Sequence, residues 1–161
     1  MSHSADSASY MASFEPAMRL ALAEARLGSG TDVPVGAVIL DSAGAVLARA
    51  SNRREADADP TAHAELVAIR SAARTLGSWR LIGCTLVVTL EPCTMCAGAV
   101  TAARLARLVF GAADPKAGAV GSLWDVVRDR RLNHQTEVVS GVLAAECGAL
   151  LREFFVSRRR S

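Results

Sequence analysis

Four residues in two short segments have the types and spacing of a metal-dependent catalytic centre. His63 and Glu65 belong to the pattern H-x-E, and Cys93 and Cys96 follow thirty residues later in the pattern P-C-x-x-C. One imidazole and two thiolates suit zinc, and three protein ligands leave the fourth tetrahedral position open for water. Glu65 is then a carboxylate beside the metal that can carry protons. The two patterns predict a catalytic centre with one Zn2+ per subunit.

Each half has a simpler interpretation on its own. A C-x-x-C pair also occurs in redox proteins and in structural zinc sites, where a fourth protein ligand closes the metal. The remaining candidates for such a ligand are Cys84, Cys147, His3 and His134, and none has ligand spacing to either half. Thiolate and imidazole ligation favours zinc without excluding iron.

Both patterns stand where helices are predicted to begin. Asp59 and Pro60 suit the N-cap and first position of a helix that runs to about residue 76. Residues two apart in a helix point to different sides, so His63 and Glu65 share a metal only if the histidine reaches off the open end. Pro92 precedes a second helix, and the free amides at its start favour thiolates at the two cysteines.

The rest of the chain is predicted to fold as one domain of the α/β class. Residues 1–12 are rich in Ser and Ala and are predicted to be a disordered extension, which leaves residues 13–161 as a single zinc-dependent domain. A strand, helix, strand order from residue 85 implies a parallel pair with a right-handed crossover. We expect a three-layer α/β/α fold with a mixed five-stranded sheet. Its predicted elements are helices at 13–27, 60–76, 93–105 and 143–158 and strands at 33–40, 45–50, 85–90, 107–111 and 137–140.

Composition limits the setting in which the chain works. The 161 residues carry a formal charge of +2, with 51% hydrophobic and 4% aromatic residues, which fits one domain with an aliphatic core. No apolar run has the length of a membrane span and the start is unlike a signal peptide, so we expect no membrane association and a cytoplasmic location. Seventeen arginines accompany one lysine, Lys116. Arginine suits RNA contacts, but biased codon usage explains the imbalance equally well.

Beyond the two zinc patterns, the chain resembles the bacterial tRNA-specific adenosine deaminases, which have a cytidine deaminase-like fold. The resemblance extends from about residue 14 to residue 155. The segments that carry it are VPVGAV (33–38), DPTAHAE (59–65), LEPCTMCAGA (90–99), GAADPKAG (111–118), GSL (121–123) and NH (133–134). The zinc patterns alone indicate only the superfamily, whereas the later segments resemble the tRNA branch.

The resemblance implies hydrolytic deamination of adenosine to inosine at the wobble position (34) of a tRNA anticodon loop, with an arginine tRNA as substrate and a homodimer as the working form. By position in the motifs, it implies zinc ligation by His63, Cys93 and Cys96 and proton transfer by Glu65. It further implies substrate contacts by Asn52, Val35, Leu90, Asp114 and Lys116.

Other functions remain open from the sequence alone. The same zinc chemistry would serve a deaminase of a free base or nucleoside, such as cytosine, cytidine or guanine. A deaminase fold can also act as a non-catalytic RNA-binding subunit, although the presence of Glu65 argues against this. A zinc-stabilised interaction module would bind metal and catalyse nothing.

Overall fold

The computed structural model describes residues 3–161 of the chain. Within them, helices and strands alternate in a pattern typical of α/β proteins. In chain order these are α1 His3–Ala12, α2 Glu15–Leu27, β1 Gly36–Leu40, β2 Val46–Ser51, α3 Ala64–Leu76, β3 Thr85–Leu90, α4 Thr94–Ala102, β4 Arg107–Ala112, β5 Glu137–Ser140 and α5 Ala144–Arg159. None of the helices described is long and apolar enough to cross a membrane.

The strands form one mixed sheet in the order β2-β1-β3-β4-β5. Strand β1 is antiparallel to both β2 and β3, whereas β3, β4 and β5 are parallel. Helix α4 makes the crossover between β3 and β4. The predicted mixed five-stranded sheet is therefore confirmed.

Both faces of the sheet are covered by helices, so successive residues of the central strands enter two different cores. Val38, Val87, Val109 and Val139 form one row across four strands. They pack with buried residues of α2 and with Cys147 of α5. The intervening residues of the strands pack on the opposite face against α3 and α4. The continuous apolar composition of β3 follows from this burial on both faces.

The N-terminal segment differs from the prediction. Residues 3–12 form helix α1 instead of a disordered extension, while residues 1 and 2 lie outside the described part of the chain. The Tyr10 hydroxyl donates to Glu137 Oε1 at 2.6 Å, and its ring meets that of Phe14 edge to face at 5.2 Å. Met11 also packs against the core. Two anchoring side chains in a Ser/Ala-rich stretch give too weak a periodic pattern to be recognised from the sequence.

Helix α2 lies unusually close to strand β1. Its buried face contributes Met18 and Leu22 to the core. Gly36 begins β1 directly under the helix, where an added Cβ would lie 1.8 Å from the carbonyl oxygen of Ala21 and 2.6 Å from the amide nitrogen of Ala25. Only glycine allows the two backbones to approach this far.

Candidate metal centre and cavity

The histidine of the H-x-E pattern stands at the N-cap of α3. The sequence predicted a helix from Pro60, but α3 begins at Ala64. The difference arises because Asp59 Oδ1 accepts hydrogen bonds from the Thr61 amide at 2.8 Å and from the Thr61 hydroxyl at 2.7 Å, which closes a turn before the helix. His63 has extended backbone angles (φ −68°, ψ 152°). Its imidazole therefore reaches off the open end of the helix, as the spacing required.

The two cysteines meet this imidazole from the start of the other helix. Cys93 is the N-cap of α4 with extended backbone angles (φ −72°, ψ 176°), and Cys96 lies in the first turn. The Sγ atoms of Cys93 and Cys96 lie 3.6 Å and 3.5 Å from Nδ1 of His63. In a tetrahedral zinc site with bonds of about 2.3 Å to sulfur and about 2.0–2.1 Å to nitrogen, this separation is about 3.6 Å. The donor set therefore fits one zinc ion.

The ionisation of the two thiols is unequal when they bind only each other and His63. A hydrogen bond from Cys96 is the largest influence on Cys93 and lowers the pKa of this thiol to about 4. The same hydrogen bond, together with burial, raises the pKa of Cys96. The hydrogen bond with Cys93 raises the pKa of His63. Cys93 is thus the thiol of lower pKa, and both cysteines would bind zinc as thiolates.

Glu65 lies in the first turn of α3, two residues beyond His63. Its side chain is buried, with 5% of the residue exposed, and burial raises the pKa of its carboxyl. It lines the same cavity as His63 and Cys93. A buried carboxyl at this place, outside the three-ligand cluster, is suited to proton transfer at a bound substrate.

A cavity of about 590 Å³ opens at the metal cluster. Of the predicted site residues only Cys96 does not line it, since this residue is fully buried behind the others. The cavity therefore brings together predicted residues from five separate segments of the chain. The predicted residues that line it are Val35, Asn52, His63, Glu65, Leu90, Cys93, Asp114 and Lys116.

Asn52 is held in a fixed orientation at the cavity. Its Nδ2 donates to the carbonyl oxygen of Val33 at 3.1 Å, and its Oδ1 accepts from the amide of Arg54 at 3.2 Å. These two hydrogen bonds use only some of the donor and acceptor positions of the side-chain amide, and they fix the directions in which its oxygen and nitrogen point.

The loop that follows Asn52 is anchored by a buried carboxylate. Asp32, 3% exposed, accepts hydrogen bonds from the amides of Glu55 at 2.7 Å and Ala56 at 3.1 Å and from the hydroxyl of Ser29 at 2.7 Å. Burial raises the pKa of Asp32, but the hydrogen bonds outweigh it, and the pKa is lowered from 3.8. The carboxylate stays ionised and holds this side of the cavity mouth.

Asp114 serves the conformation of its own loop. Its Oδ1 accepts hydrogen bonds from the amides of Lys116 at 3.0 Å and Ala117 at 3.2 Å. The loop is thereby turned so that both Asp114 and Lys116 line the cavity.

Several residues at the cavity were missed by the sequence analysis. Leu151 and Phe155 of α5 form part of its wall, and Arg54 stands at its rim. Nothing in their spacing relates them to the zinc patterns. Glu91 also lines the cavity and is 3% exposed. A charged residue between an apolar strand and the P-C-x-x-C pattern is rarely buried without a partner, and that was a usable signal.

The end of α5 is tied to the rest of the molecule by Arg158. Its Nη2 donates to the carbonyl oxygens of Gly30 at 3.2 Å and Thr31 at 2.8 Å, and its guanidinium lies 4.5 Å from the centre of the Phe154 ring. Arg158, the first of the three C-terminal arginines at residues 158–160, is therefore engaged within the chain.

Three residues that the sequence left as candidate ligands are structural. His134 Nε2 donates to the carbonyl oxygen of Leu105 at 2.7 Å. Cys84 and Cys147 are buried core residues, at 2% and 1% exposed.

Comparison with known proteins relates the chain to deaminases. The family model described as "Cytidine and deoxycytidylate deaminase zinc-binding region" matches residues 11–112. The tRNA-specific adenosine deaminase of Bacillus subtilis (strain 168) is 52% identical over 129 residues, which is 80% of each chain. A structure from "Biochemical and Structural Studies of A-to-I Editing by tRNA:A34 Deaminases at the Wobble Position of Transfer RNA" is 47% identical, with a TM-score of 0.79 over 83% of this chain and 96% of that one. A guanine deaminase from Nitrosomonas europaea is 26% identical, with a TM-score of 0.68 over 89% of this chain and 81% of that one.

Proposed function

This chain belongs to the tRNA-specific adenosine deaminases of the cytidine and deoxycytidylate deaminase zinc-binding family, and we propose that it converts adenosine to inosine at position 34 of a tRNA anticodon loop, in an arginine tRNA. The observation that carries the proposal is the buried Glu65 beside the His63, Cys93 and Cys96 cluster, at a cavity that also holds the other residues expected to contact substrate. The identity to tRNA-specific deaminases supports tRNA as the substrate class.

His63, Cys93 and Cys96 would hold the zinc, which when bound supplies Lewis-acid activation of water near neutral pH. Glu65 moves the protons of the reaction. Its carboxylate accepts a proton from the attacking water and delivers it to N1 of the adenine. It then takes the second proton of the water from the oxygen now bonded to C6 and passes it to the amino group that leaves C6. Water and the adenine amino group are thus converted to the C6 carbonyl of inosine and to ammonia.

The remaining lining residues bind and orient the substrate. Val35 and Leu90 would contact the faces of the base, and the fixed amide of Asn52 would bind the flipped nucleotide. Asp114 and Lys116 lie on the loop that would face the RNA. Extruding a base from an anticodon loop costs little because the loop is already single-stranded.

Replacing Glu65 tests the proposal directly. Glu65→Gln keeps the shape of the side chain and should keep full zinc content, while wobble inosine falls at least about 100-fold, the scale of general acid-base catalysis. The exposed Glu153 of α5 gives the control, since Glu153→Gln should deaminate like wild type. Undiminished inosine formation by zinc-loaded Glu65→Gln protein would refute the assignment.

Substrate class and tRNA choice need their own assay. The similarity to a guanine deaminase favours a free base as the alternative substrate. Unmodified arginine tRNA, other tRNAs with A34, free guanine, adenosine and cytidine should be compared. Inosine only in arginine tRNA would support the proposal, and product only from a free base would overturn it. Turnover of any of them would exclude a non-catalytic RNA-binding subunit.

We further propose a homodimer that works in the cytoplasm, where tRNA is found and metal-binding thiols stay reduced. Met95, Leu123 and Trp124 are 37%, 48% and 57% exposed next to the start of α4, and Trp124 Nε1 donates to Thr94 Oγ1 at 2.9 Å. These side chains would form the apolar centre of the dimer contact.

Light scattering on two tryptophan variants tests the dimer. Trp124→Ser should shift the protein towards monomer. Trp79→Ser, which removes a side chain of similar exposure (56%) from the loop after α3, should not. A wild-type protein that is monomeric at micromolar concentration would contradict the homodimer.

A further inference from the structure

Glu91 is a buried carboxylate whose two oxygens each accept two hydrogen bonds. It lies between β3 and Pro92 and is 3% exposed. Its Oε1 accepts from the amide of Asp114 at 3.1 Å and from the hydroxyl of Ser122. Its Oε2 accepts from the amides of Val120 at 3.0 Å and Ser122 at 3.1 Å. One side chain thus binds both ends of a single loop.

This loop, residues 113–122, forms one wall of the cavity. It follows β4 directly, and its residues 113–117 line the cavity. It has little regular structure of its own, with single bridges from Gly118 to Cys93 and from Val120 to Asp125. Its shape therefore depends on the groups to which its amides are bound.

The loop packs tightly around the carboxylate. A Cβ added at Gly118 would lie 2.2 Å from Glu91 Oε2 and 2.6 Å from the carbonyl oxygen of Asp114. The neighbouring amide of Ala119 donates to the carbonyl oxygen of Pro92 at 2.9 Å. The same short segment, residues 91–93, therefore holds the loop and supplies the first cysteine of the cluster.

We propose that Glu91 is a positioning residue for the substrate: its carboxylate fixes the 113–122 loop against the start of α4 and so sets where Asp114 and Lys116 stand relative to the metal cluster. This inference rests on the proposed function, because the group to be positioned against the loop is the RNA. Glu91 itself performs no proton transfer.

The chemistry of the contact requires a carboxylate. All four partner groups donate, and an ionised carboxylate only accepts. Glutamine has the same shape, but one of its terminal atoms is an NH2 group, which would face the donors on that side. Glu91→Gln should therefore release one end of the loop without leaving an empty space in the core.

Two measurements test the proposal on the zinc-loaded protein. Hydrogen exchange of residues 113–122 should be faster in Glu91→Gln than in wild type, while exchange in α2 and β1 stays the same. With an anticodon stem-loop as substrate, KM should rise roughly 10-fold or more with a smaller change in kcat and full zinc content, since the change affects binding geometry more than the reacting groups.

Glu137→Gln is the matched control. Glu137 is also a hydrogen-bonded carboxylate, bound by Tyr10 and Arg107, but it lies on β5 away from the cavity. A general loss of stability would affect both variants, whereas the rise in KM should be confined to Glu91→Gln. Ser122→Ala removes only one of the four donors and should give a smaller rise in KM, which keeps the test available if Glu91→Gln does not fold.

The outcomes separate the two proposals. Unchanged exchange in the loop, or a released loop with unchanged KM, would overturn the positioning role. Loss of zinc with a fall in kcat alone would also overturn it, since Glu91 would then support the ligands. A wild-type protein that neither binds nor deaminates the stem-loop would refute the proposed function, and the exchange measurement would still decide whether Glu91 holds the loop.

Discussion

The close approach of α2 to β1 makes Gly36 the position where the smallest substitution should have a large effect. In Gly36→Ala the new Cβ would lie 1.8 Å from the carbonyl oxygen of Ala21, where an ordinary contact needs about 3.4 Å. The two nearest obstacles belong to the helix backbone, so no side-chain rotation relieves the clash. The helix must move away by about 1.6 Å, which loosens the packing of Met18 and Leu22 against the sheet.

The cost can be estimated from comparable overpacked cores. Overpacking costs about 1–3 kcal/mol, and a backbone clash belongs at the upper end, about 3 kcal/mol. For a chain of this size that corresponds to a fall in Tm of about 6–12 °C. Gly98 on α4 is the matched control, because nothing lies within 4 Å of its added Cβ. Gly98→Ala should stabilise the helix by about 0.5–1 kcal/mol.

The assay is thermal unfolding of both zinc-loaded variants beside wild type. The pair is informative because both substitutions reduce the entropy of the unfolded chain equally. Their difference in Tm therefore reports the clash at β1. A Gly36→Ala protein that melts within about 2 °C of wild type, or two variants that shift together, would refute the close-approach argument.

Three further predictions concern the cavity mouth, the metal and the C-terminal arginines. Asp32→Asn should lower the free energy of unfolding by about 1–3 kcal/mol at pH 7. Because the folded-state pKa of Asp32 is below 3.8, this loss of stability should be constant above about pH 5 and should shrink as the pH falls through that pKa. Urea titrations in which the loss stays independent of pH down to pH 3 would contradict this prediction. For a protein with zinc at about 1,000 times its Kd, chelation of the zinc should lower Tm by about 8–16 °C, and added zinc should restore the Tm. An unchanged Tm would mean that the cluster holds no metal. Replacing Arg159 and Arg160 by Ala should reduce the slope of the salt dependence of tRNA binding by about 1–2. Arg158→Ala, which removes a guanidinium already bound to backbone carbonyls, should leave that slope unchanged, and equal effects would show that all three contact RNA alike.

The parts of the fold predicted from the sequence are those whose signals are local. The apolar run of β3 and the stop at Gly77 after α3 depend on neighbouring residues and appear where expected. The start of α3 was placed four residues early, because Asp59 has the same preference for a turn as for a helix N-cap. Local chemistry did not distinguish the two.

The metal cluster was predictable for a different reason. Its residue types and order are restricted by coordination chemistry, so the sequence predicts the cluster of His63, Cys93 and Cys96 that the structure contains. The supporting groups were not, because Glu91 binds amides 23 to 31 residues away and Phe155 reaches the cavity from the far end of the chain. Such contacts are set by the tertiary fold, and no spacing in the sequence records them.

Two of the three candidate ligands, His63 and Cys93, are the residues that precede their helices. The contact between these ligands therefore fixes the distance between the starts of α3 and α4, and the length of the chain that joins the two helices does not. The joining segment includes an exposed turn at residues 77–80, directly after α3 and before the buried Leu81, which carries Trp79 on the surface. That turn is accordingly a suitable place for engineering: a reporter peptide or a change of loop length inserted there should leave both helix starts, and the reaction between them, where they are.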